Sequence, residues 1–136
     1  MTAIALTAAL VSRVFPQNDE VMSVKLAEAV TQGAPAYQTT SGTYGLADAN
    51  AAGKQQFRGV FLEAGAAGDV VPLLKRGWLY GYTLGTIETP IYLSDTVGVF
   101  DDSAGTMTVV CGRVCTLADG TTKILYVEAR WTHIWA

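Results

Sequence analysis

The sequence predicts a small all-β domain, and three observations support this fold class. Fourteen glycines are spread along the 136 residues. They leave little room for a long helix, because glycine in a helix interior costs about 1 kcal/mol relative to alanine. Several segments alternate apolar and polar residues with the period of two that is typical of strands. Finally, two stretches of the chain are similar to each other, which indicates a duplicated β unit.

The internal repeat is clearest at two Pro-x-Tyr sequences, Pro35 to Tyr37 and Pro90 to Tyr92, whose offset is 92 − 37 = 55 residues. A turn glycine and an Asp-containing polar loop follow in both copies. Each copy continues with a glycine-bearing strand, at Gly59 and Gly112, where the offset is 112 − 59 = 53 residues. We therefore predict two related units, 23–77 and 78–130, with about eight short strands closed into a barrel-like or sandwich body.

Individual strands follow from the alternation pattern. We predict separate strands at 70–74 and between Gly77 and Gly85, with Trp78, Tyr80 and Tyr82 on one face, and we place these aromatics and Tyr92 mainly in the core. A last strand over 125–135 places Trp131, His133 and Trp135 on one face. Residues 24–30 have helical propensity but match 79–85 in the repeat, so we predict a strand there. Residues 47–54 leave room for one helical turn.

Residues 1–22 are predicted to form an extended N-terminal arm. The segment is mostly apolar as far as Phe15 and then breaks at Pro16 and a polar stretch. It lacks the basic region of a signal peptide, carries Arg13 in its apolar part, and is shorter than the roughly 20 residues of a bilayer span. We expect neither export nor a membrane span, and we expect the arm to be buried on a neighbour or on the body.

The composition favours contact with protein and argues against nucleic acid. Charged residues are 15% of the chain, against about 25% in an average soluble domain, and the net charge is −3. A nucleic-acid binder needs clustered Lys and Arg to displace counterions. The two cysteines, Cys111 and Cys115, would lie about 13 Å apart on a strand, too far for a disulfide. We interpret them as small buried hydrophobic residues of a protein folded in a reducing cytoplasm.

The residue types that carry catalysis are sparse and badly placed for it. The single histidine, His133, lies near the C-terminus between two tryptophans, and we interpret it as a packed or interface residue, with a protonation switch at an interface as a second hypothesis. Asp95, Asp101 and Asp102 are interpreted as turn-capping residues, since no calcium-binding loop pattern surrounds them. The glycines from Gly65 to Gly68 precede a strand, which indicates a hairpin turn and not a phosphate loop. The sequence thus predicts a non-catalytic protein without cofactor or metal.

Four of these sequence features, taken in order, resemble the body of the decoration (cement) proteins of tailed-phage heads. They are Gly68 to Val71, Gly77 to Tyr82, Thr89 to Thr96 with Gly98, and Gly112 to Val114. The similarity covers roughly residues 25 to 128 and consists of turn glycines and strand starts, which are structural features. The resemblance implies a β-rich body that trimerises on the outer capsid surface, and an arm that reaches across neighbouring capsomers.

From the resemblance and the composition together, we expect a homotrimer that bridges major capsid proteins and strengthens the shell. The protein would be made in the host cytoplasm and reside on the outer surface of the virion. The expected interface residues are Ile4, Leu6, Leu10, Val11, Val14, Phe15, Trp131, His133 and Trp135. An alternative is a β-rich receptor- or glycan-binding module of a phage head or tail fibre, with a groove rimmed by Trp78, Tyr80 and Tyr82. A hydrolase on a β scaffold is a further alternative, which would place His133 in a cleft beside an acid and a nucleophile.

Overall fold

The computed structural model describes residues 3–136 and confirms the predicted all-β class. Ten strands form one curled antiparallel sheet, a half-barrel. They are β1 (Ser12–Arg13), β2 (Glu20–Lys25), β3 (Pro35–Gln38), β4 (Tyr44–Leu46), β5 (Gly59–Phe61), β6 (Val70–Tyr80), β7 (Pro90–Leu93), β8 (Phe100–Asp101), β9 (Val110–Thr116) and β10 (Lys123–Glu128). Helical structure in the described part of the chain is limited to 3-10 turns at Ala8–Leu10 and Pro16–Asn18. Residues 47–54 form turns and no helix.

Strand β6 is a single strand of 11 residues where the sequence predicted two. Gly77, expected to lie in a break, is instead buried within the strand. The carboxylate of Asp19 lies directly over Gly77, and a β-carbon at this position would overlap it. Gly77 is therefore required for close packing, and the strand continues through it.

The two edges of β6 carry four different partners. Along one edge β2 pairs with residues 70–76 and β1 with residues 79–80. Along the other edge β5 pairs with residues 73–74 and β10 with residues 76–79. The first part of β6 therefore closes the first predicted unit, and its second part opens the second unit, so that one strand is shared by both.

The two units have the same strand order and the same register. The sheet order is β4-β3-β5-β6-β10-β9-β7-β8, in which the second half repeats the first in reverse. Ala36 pairs with Gly59 in the first unit, and Ile91 pairs with Gly112 at the matching position of the second. Both glycines are buried against a backbone carbonyl of the next strand, that of Leu74 or that of Tyr126. The similarity between the units thus extends to their backbone packing.

The core lies inside the curl and divides into two clusters of buried apolar residues. One cluster belongs mainly to the first unit and includes Phe61 and Leu73. The larger cluster includes Phe57, Phe100 and most inward residues of the second unit. Ring contacts connect its members, such as the edge-on pair of Phe57 and Phe100 with centroids 5.9 Å apart.

The predicted N-terminal arm lies along its own body in this structure. Of the predicted range 1–22, residues 1 and 2 lie outside the described residues, and the remainder contacts the sheet. Ile4 and Val11 are only 6% and 5% exposed, because their side chains join the larger core cluster. Strand β2 already begins at Glu20, and it ends at Lys25, so the strand predicted over 24–30 is shifted toward the N-terminus.

The predicted last strand is too long. β10 ends at Glu128, and residues 129–136 form a turn and an irregular tail. Trp131, His133 and Trp135 are nevertheless the covered positions of this tail: Trp135 is buried and the other two are half-buried, while Thr132 and Ile134 are exposed. The tail lies against the first unit, where Gln56 and Arg58 hydrogen-bond to its backbone.

Candidate functional site

The N-terminal segment, residues 3–14, fills a gap in the second unit. In the first unit the residues just after β2 cover the edge of β4. Leu26 forms a parallel bridge with Tyr44, and the Ala27 N–H donates to the Tyr44 carbonyl at 2.8 Å. In the second unit the matching place, beside β8, is taken by the N-terminal segment. The Ile4 N–H donates to the Phe100 carbonyl at 2.8 Å. The segment therefore lies between β8 and the chain that follows β6, which it contacts through isolated backbone bridges at Ala3 and Leu6.

The opposite side of the inserted segment is also hydrogen-bonded. The Thr7 N–H donates to the Gly81 carbonyl at 2.9 Å, and the Thr83 N–H donates to the Ala5 carbonyl at 2.8 Å. The Gln32 side chain adds a bond from its Nε2 to the Val11 carbonyl, also 2.8 Å long. Backbone hydrogen bonds of this kind depend little on sequence, so the buried side chains of Ile4 and Val11 supply the specificity of the fit.

The connection between β1 and β2 contains more residues than its register requires. Arg13 pairs with Leu79, and Glu20 pairs with Arg76, on the same edge of β6. The N-terminal strand thus advances by 20 − 13 = 7 residues while β6 advances by 79 − 76 = 3. Four residues are surplus, and they are accommodated over residues 14–19, which include the 3-10 turn Pro16–Asn18 and which we call the hinge bulge.

The hinge bulge is held by a buried carboxylate. The Arg13 Nε donates to Asp19 Oδ2 at 2.7 Å, and its Nη2 donates to the Pro16 carbonyl at 3.1 Å. The Asp19 side chain has no solvent-exposed surface, and its Oδ1 has no hydrogen-bond partner within residues 3–136. A buried charged oxygen without a partner is costly, so this bulge combines one strong contact with one unfavourable one.

An exposed apolar surface borders the inserted segment, formed by Leu10, Phe15, Trp78, Tyr80 and Tyr126, and we call it the aromatic patch. Leu10 is 55% exposed, Tyr80 45% and Phe15 39%. Trp78 is at the centre, with ring centroids 5.5 Å from Phe15 and 5.1 Å from Tyr126. The patch joins β6 and β10 to the N-terminal segment.

The alternation of side chains along β6 explains why the aromatic patch faces solvent. Leu79 is completely buried, so its neighbours Trp78 and Tyr80 point to the opposite, outer face of the sheet. The prediction that these two aromatics lie mainly in the core is wrong for Tyr80 and only partly right for Trp78, which is half-buried. It is right for Tyr82, which turns inward after Gly81 and donates its hydroxyl to the Gly33 carbonyl at 2.7 Å.

Beside Tyr80 the surface contains an open groove of about 340 Å³. Its walls include Leu10 and Tyr80 on one side and Thr121, Thr122 and Lys123 on the other. The groove therefore combines an aromatic ring with hydroxyl and ammonium donors, a combination that suits a polar ligand with an apolar face.

The C-terminal tail is anchored on the first unit by Gln56 and Arg58. Gln56 Nε2 donates to the Trp135 carbonyl at 2.8 Å, and the Trp135 N–H donates to Gln56 Oε1 at 2.9 Å. The Arg58 guanidinium donates to the carbonyls of Arg130 and His133 and lies within 6 Å of the Trp131 and Trp135 rings. Its partial burial lowers the pKa of Arg58. These anchors are far from the tail in sequence, and no local pattern indicated them.

The structure separates the predicted interface residues into three groups by burial. Those covered by their own chain are Ile4, Val11 and Trp135, while Leu6, Val14, Trp131 and His133 are half-buried, and Leu10 and Phe15 are exposed. His133 packs edge-on against Trp135, with ring centroids 4.8 Å apart. The structure therefore brings Leu10 and Phe15 into the aromatic patch. It places Trp131, His133 and Trp135 in a separate cluster around Arg58.

Both cysteines are free thiols, as predicted. Burial raises the pKa of Cys111 well above its ordinary value. The pKa of the half-buried Cys115 is also raised, by desolvation first and then by the charge of Glu88. Neither thiol is thus activated as a nucleophile at neutral pH.

Asp101 acts in a turn, as the sequence indicated, whereas Asp95 binds a residue 11 positions away. Asp95 accepts from the Thr106 N–H at 2.7 Å, and the buried Asp101 accepts from the Ser103 N–H at 3.1 Å. Asp119 accepts from the backbone of Thr121 and from the backbone and hydroxyl of Thr122, which lowers the pKa of its carboxyl to about 2. Among residues 3–136 no cluster of three or more His, Cys, Asp or Glu side chains is placed to hold a metal. The same residues contain no helix of the length and apolar character needed to cross a bilayer.

Comparison with known proteins identifies no relative. No protein family matches this chain, and no curated protein or solved structure is significantly similar to it.

Proposed function

We propose that this chain is a structural decoration protein of a tailed-phage head. It binds the outer capsid surface as a homotrimer and stabilises the contacts between major capsid proteins. The observation that carries the proposal is the aromatic patch and its continuity with the inserted N-terminal segment. The sequence resemblance to decoration proteins supports the choice of partner.

The patch has the composition of a protein-binding surface. Trp and Tyr are enriched among the residues that dominate binding energy, because they bury a large area and lose few rotamers. Arg76 lies next to the patch, where its Nε donates to the Tyr126 hydroxyl at 3.2 Å. At about 25 cal/mol per Å² of apolar area, covering a few hundred Å² contributes several kcal/mol per subunit before ordering costs. Repetition over many capsid sites multiplies this contribution.

The experiment is a binding assay with purified protein and shells of the parent phage that lack the decoration protein. Cosedimentation and cryo-electron microscopy measure occupancy of the shell surface. We expect Trp78→Ala and Tyr80→Ala to reduce occupancy, whereas Val70→Ala, an exposed apolar change at the other end of β6, leaves it unchanged. Absence of wild-type protein from the shells would refute the proposal.

The groove beside Tyr80 favours one second candidate, a receptor- or glycan-binding module. Tyr80 offers an aromatic face, and Lys123 and Thr121 offer donors for sugar hydroxyls. A glycan array with wild-type protein and Lys123→Ala separates the two functions. Specific glycan binding that depends on Lys123, together with no shell binding, would favour the module.

A further inference from the structure

We infer that the N-terminal segment is an exchangeable strand, which in the assembled protein inserts into the second unit of a neighbouring copy of this chain. The inference rests on the proposed function in so far as assembly brings copies together. It goes further, because it names the element that connects them and the place where it binds.

The second unit is incomplete without the N-terminal segment. In the first unit the edge of β4 is covered by residues that directly follow β2, in a parallel bridge, whereas in the second unit the edge of β8 is covered by the N-terminal segment, in an antiparallel bridge. Withdrawal of the segment would expose the edge of β8 and the backbone around Gly81. It would also uncover the part of the core that Ile4 and Val11 occupy. The gap therefore needs an occupant in every assembled state.

The hinge bulge is four residues longer than the pairing with β6 requires. Its four surplus residues are not needed for the segment to lie on its own body, because a strand without them would keep the register with β6. Extended at about 3.3 Å per residue, four residues add about 13 Å of reach. This extra length lets the segment leave its own body and extend toward an adjacent one.

The hinge bulge contains an unfavourable contact that opening would relieve. The closed form buries Asp19 Oδ1 without a hydrogen-bond partner in the described chain, and opening the bulge exposes that oxygen to water. The Arg13 to Asp19 ion pair opposes opening, so the closed form is held by one contact and destabilised by another. Exposure of Asp19 Oδ1 to water therefore offsets part of the loss of the ion pair when the segment leaves its own body.

The shape of the gap indicates which molecule occupies it. The gap is shaped around the side chains of Ile4 and Val11, and the segment of a second copy carries the same side chains at the same spacing. Exchange retains each contact and changes only which molecule supplies it, so it costs little beyond the entropy of association. The occupant is therefore a second copy of this chain.

The test is a mixture of two variants that each carry one new cysteine, Ala5→Cys and Thr83→Cys, both in a Cys115→Ser background. Leu6 pairs with Tyr82, so Ala5 lies opposite Thr83, and both positions are exposed. Opposed residues of a hydrogen-bonded antiparallel pair have Cα atoms about 5.5 Å apart, which a disulfide spans. In the mixture this disulfide forms between molecules if the segment of one lies in the body of the other.

We expect the mixture to give covalent heterodimers under mild oxidation, several-fold above a control mixture of Ala5→Cys with Ser41→Cys, an exposed position on a distant turn. Deleting residues 16–19 from both variants removes the four surplus residues and should abolish the heterodimer. Circular dichroism checks that the shortened chain folds. Heterodimer at the level of the control would overturn the inference, and so would an undiminished yield from a folded shortened chain.

The result is independent of the shell-binding assay. If the wild-type protein binds shells but the mixture gives no heterodimer, the inference fails and the proposed function stands. If heterodimer forms and the protein does not bind shells, the exchange is real and the proposed function fails.

Discussion

The close approach of β9 and β10 at Gly112 leads to a quantitative prediction about the duplicated sheet. An alanine β-carbon at this position would overlap the Tyr126 carbonyl oxygen, which is a rigid backbone atom. The equivalent Gly59 has a positive φ of 150°, and its β-carbon would lie 2.6 Å from the Leu74 carbonyl oxygen. Alanine at either position therefore requires two paired strands to separate.

The expected cost is the sum of two effects. Overpacking of a rigid site costs typically about 1–3 kcal/mol, and each strand hydrogen bond that is weakened costs about 1 kcal/mol more. We therefore expect Gly112→Ala and Gly59→Ala each to lower the free energy of unfolding by about 3 kcal/mol. Against a typical total of about 5–15 kcal/mol, this is a large loss.

The assay is urea unfolding followed by tryptophan fluorescence, with Gly85→Ala as the matched control. Gly85 has no heavy atom within 4 Å of its added β-carbon, so the same substitution there should change stability by less than about 1 kcal/mol. The reasoning would be refuted if Gly112→Ala were no more destabilising than Gly85→Ala. If alanine lowered the free energy of unfolding at only one of Gly59 and Gly112, the equivalence of the two units would be contradicted.

Two further predictions concern the tail and a surface turn. Because Trp135 is buried by its own chain, Trp135→Ala should lower the free energy of unfolding of the monomer by about 3–5 kcal/mol. The exposed control Ile134→Ala should change it by less than about 0.5 kcal/mol. Both values are measured by urea unfolding at a concentration where light scattering gives a monomeric mass. The native pKa of Asp119 lies below its ordinary value, so its ionised form stabilises the fold above pH 3.8, and this contribution is lost as the pH falls toward about 2. The stability difference between wild type and Asp119→Asn should therefore shrink over that interval, and a difference independent of pH would contradict the hydrogen-bonded turn.

Much of the fold could be predicted because it depends on local pattern. Turn glycines and period-two alternation indicate where strands occur in both units, although the bounds of β2, β6 and β10 differ from those predicted, and the matching Pro-x-Tyr sequences identify the duplication before any coordinates are considered. The pairing of Ala36 with Gly59 and of Ile91 with Gly112 places these repeated sequences at equivalent points of the sheet. Free cysteines and the turn-capping Asp101 also follow from residue type and spacing alone.

The candidate site was predictable only in part. Leu10 and Phe15 were identified because an apolar N-terminal segment has to be covered by something. Trp78 and Tyr80 were assigned mainly to the core because they are aromatic. Their alternation with Leu79 carried the missing signal, since only one face of β6 can be inward at that point.

The sequence by itself determined the all-β class, the duplication and the turn chemistry, because each depends on residues that are neighbours along the chain. Only the tertiary structure decided that Gly77 lies inside one long strand under Asp19, that residues 3–14 fill the gap in the second unit, and that the tail binds Gln56 and Arg58. Each of these depends on contacts between residues far apart in sequence. Alternation identifies the two faces of a strand, but the partner that occupies each edge is selected by the packing of the whole chain.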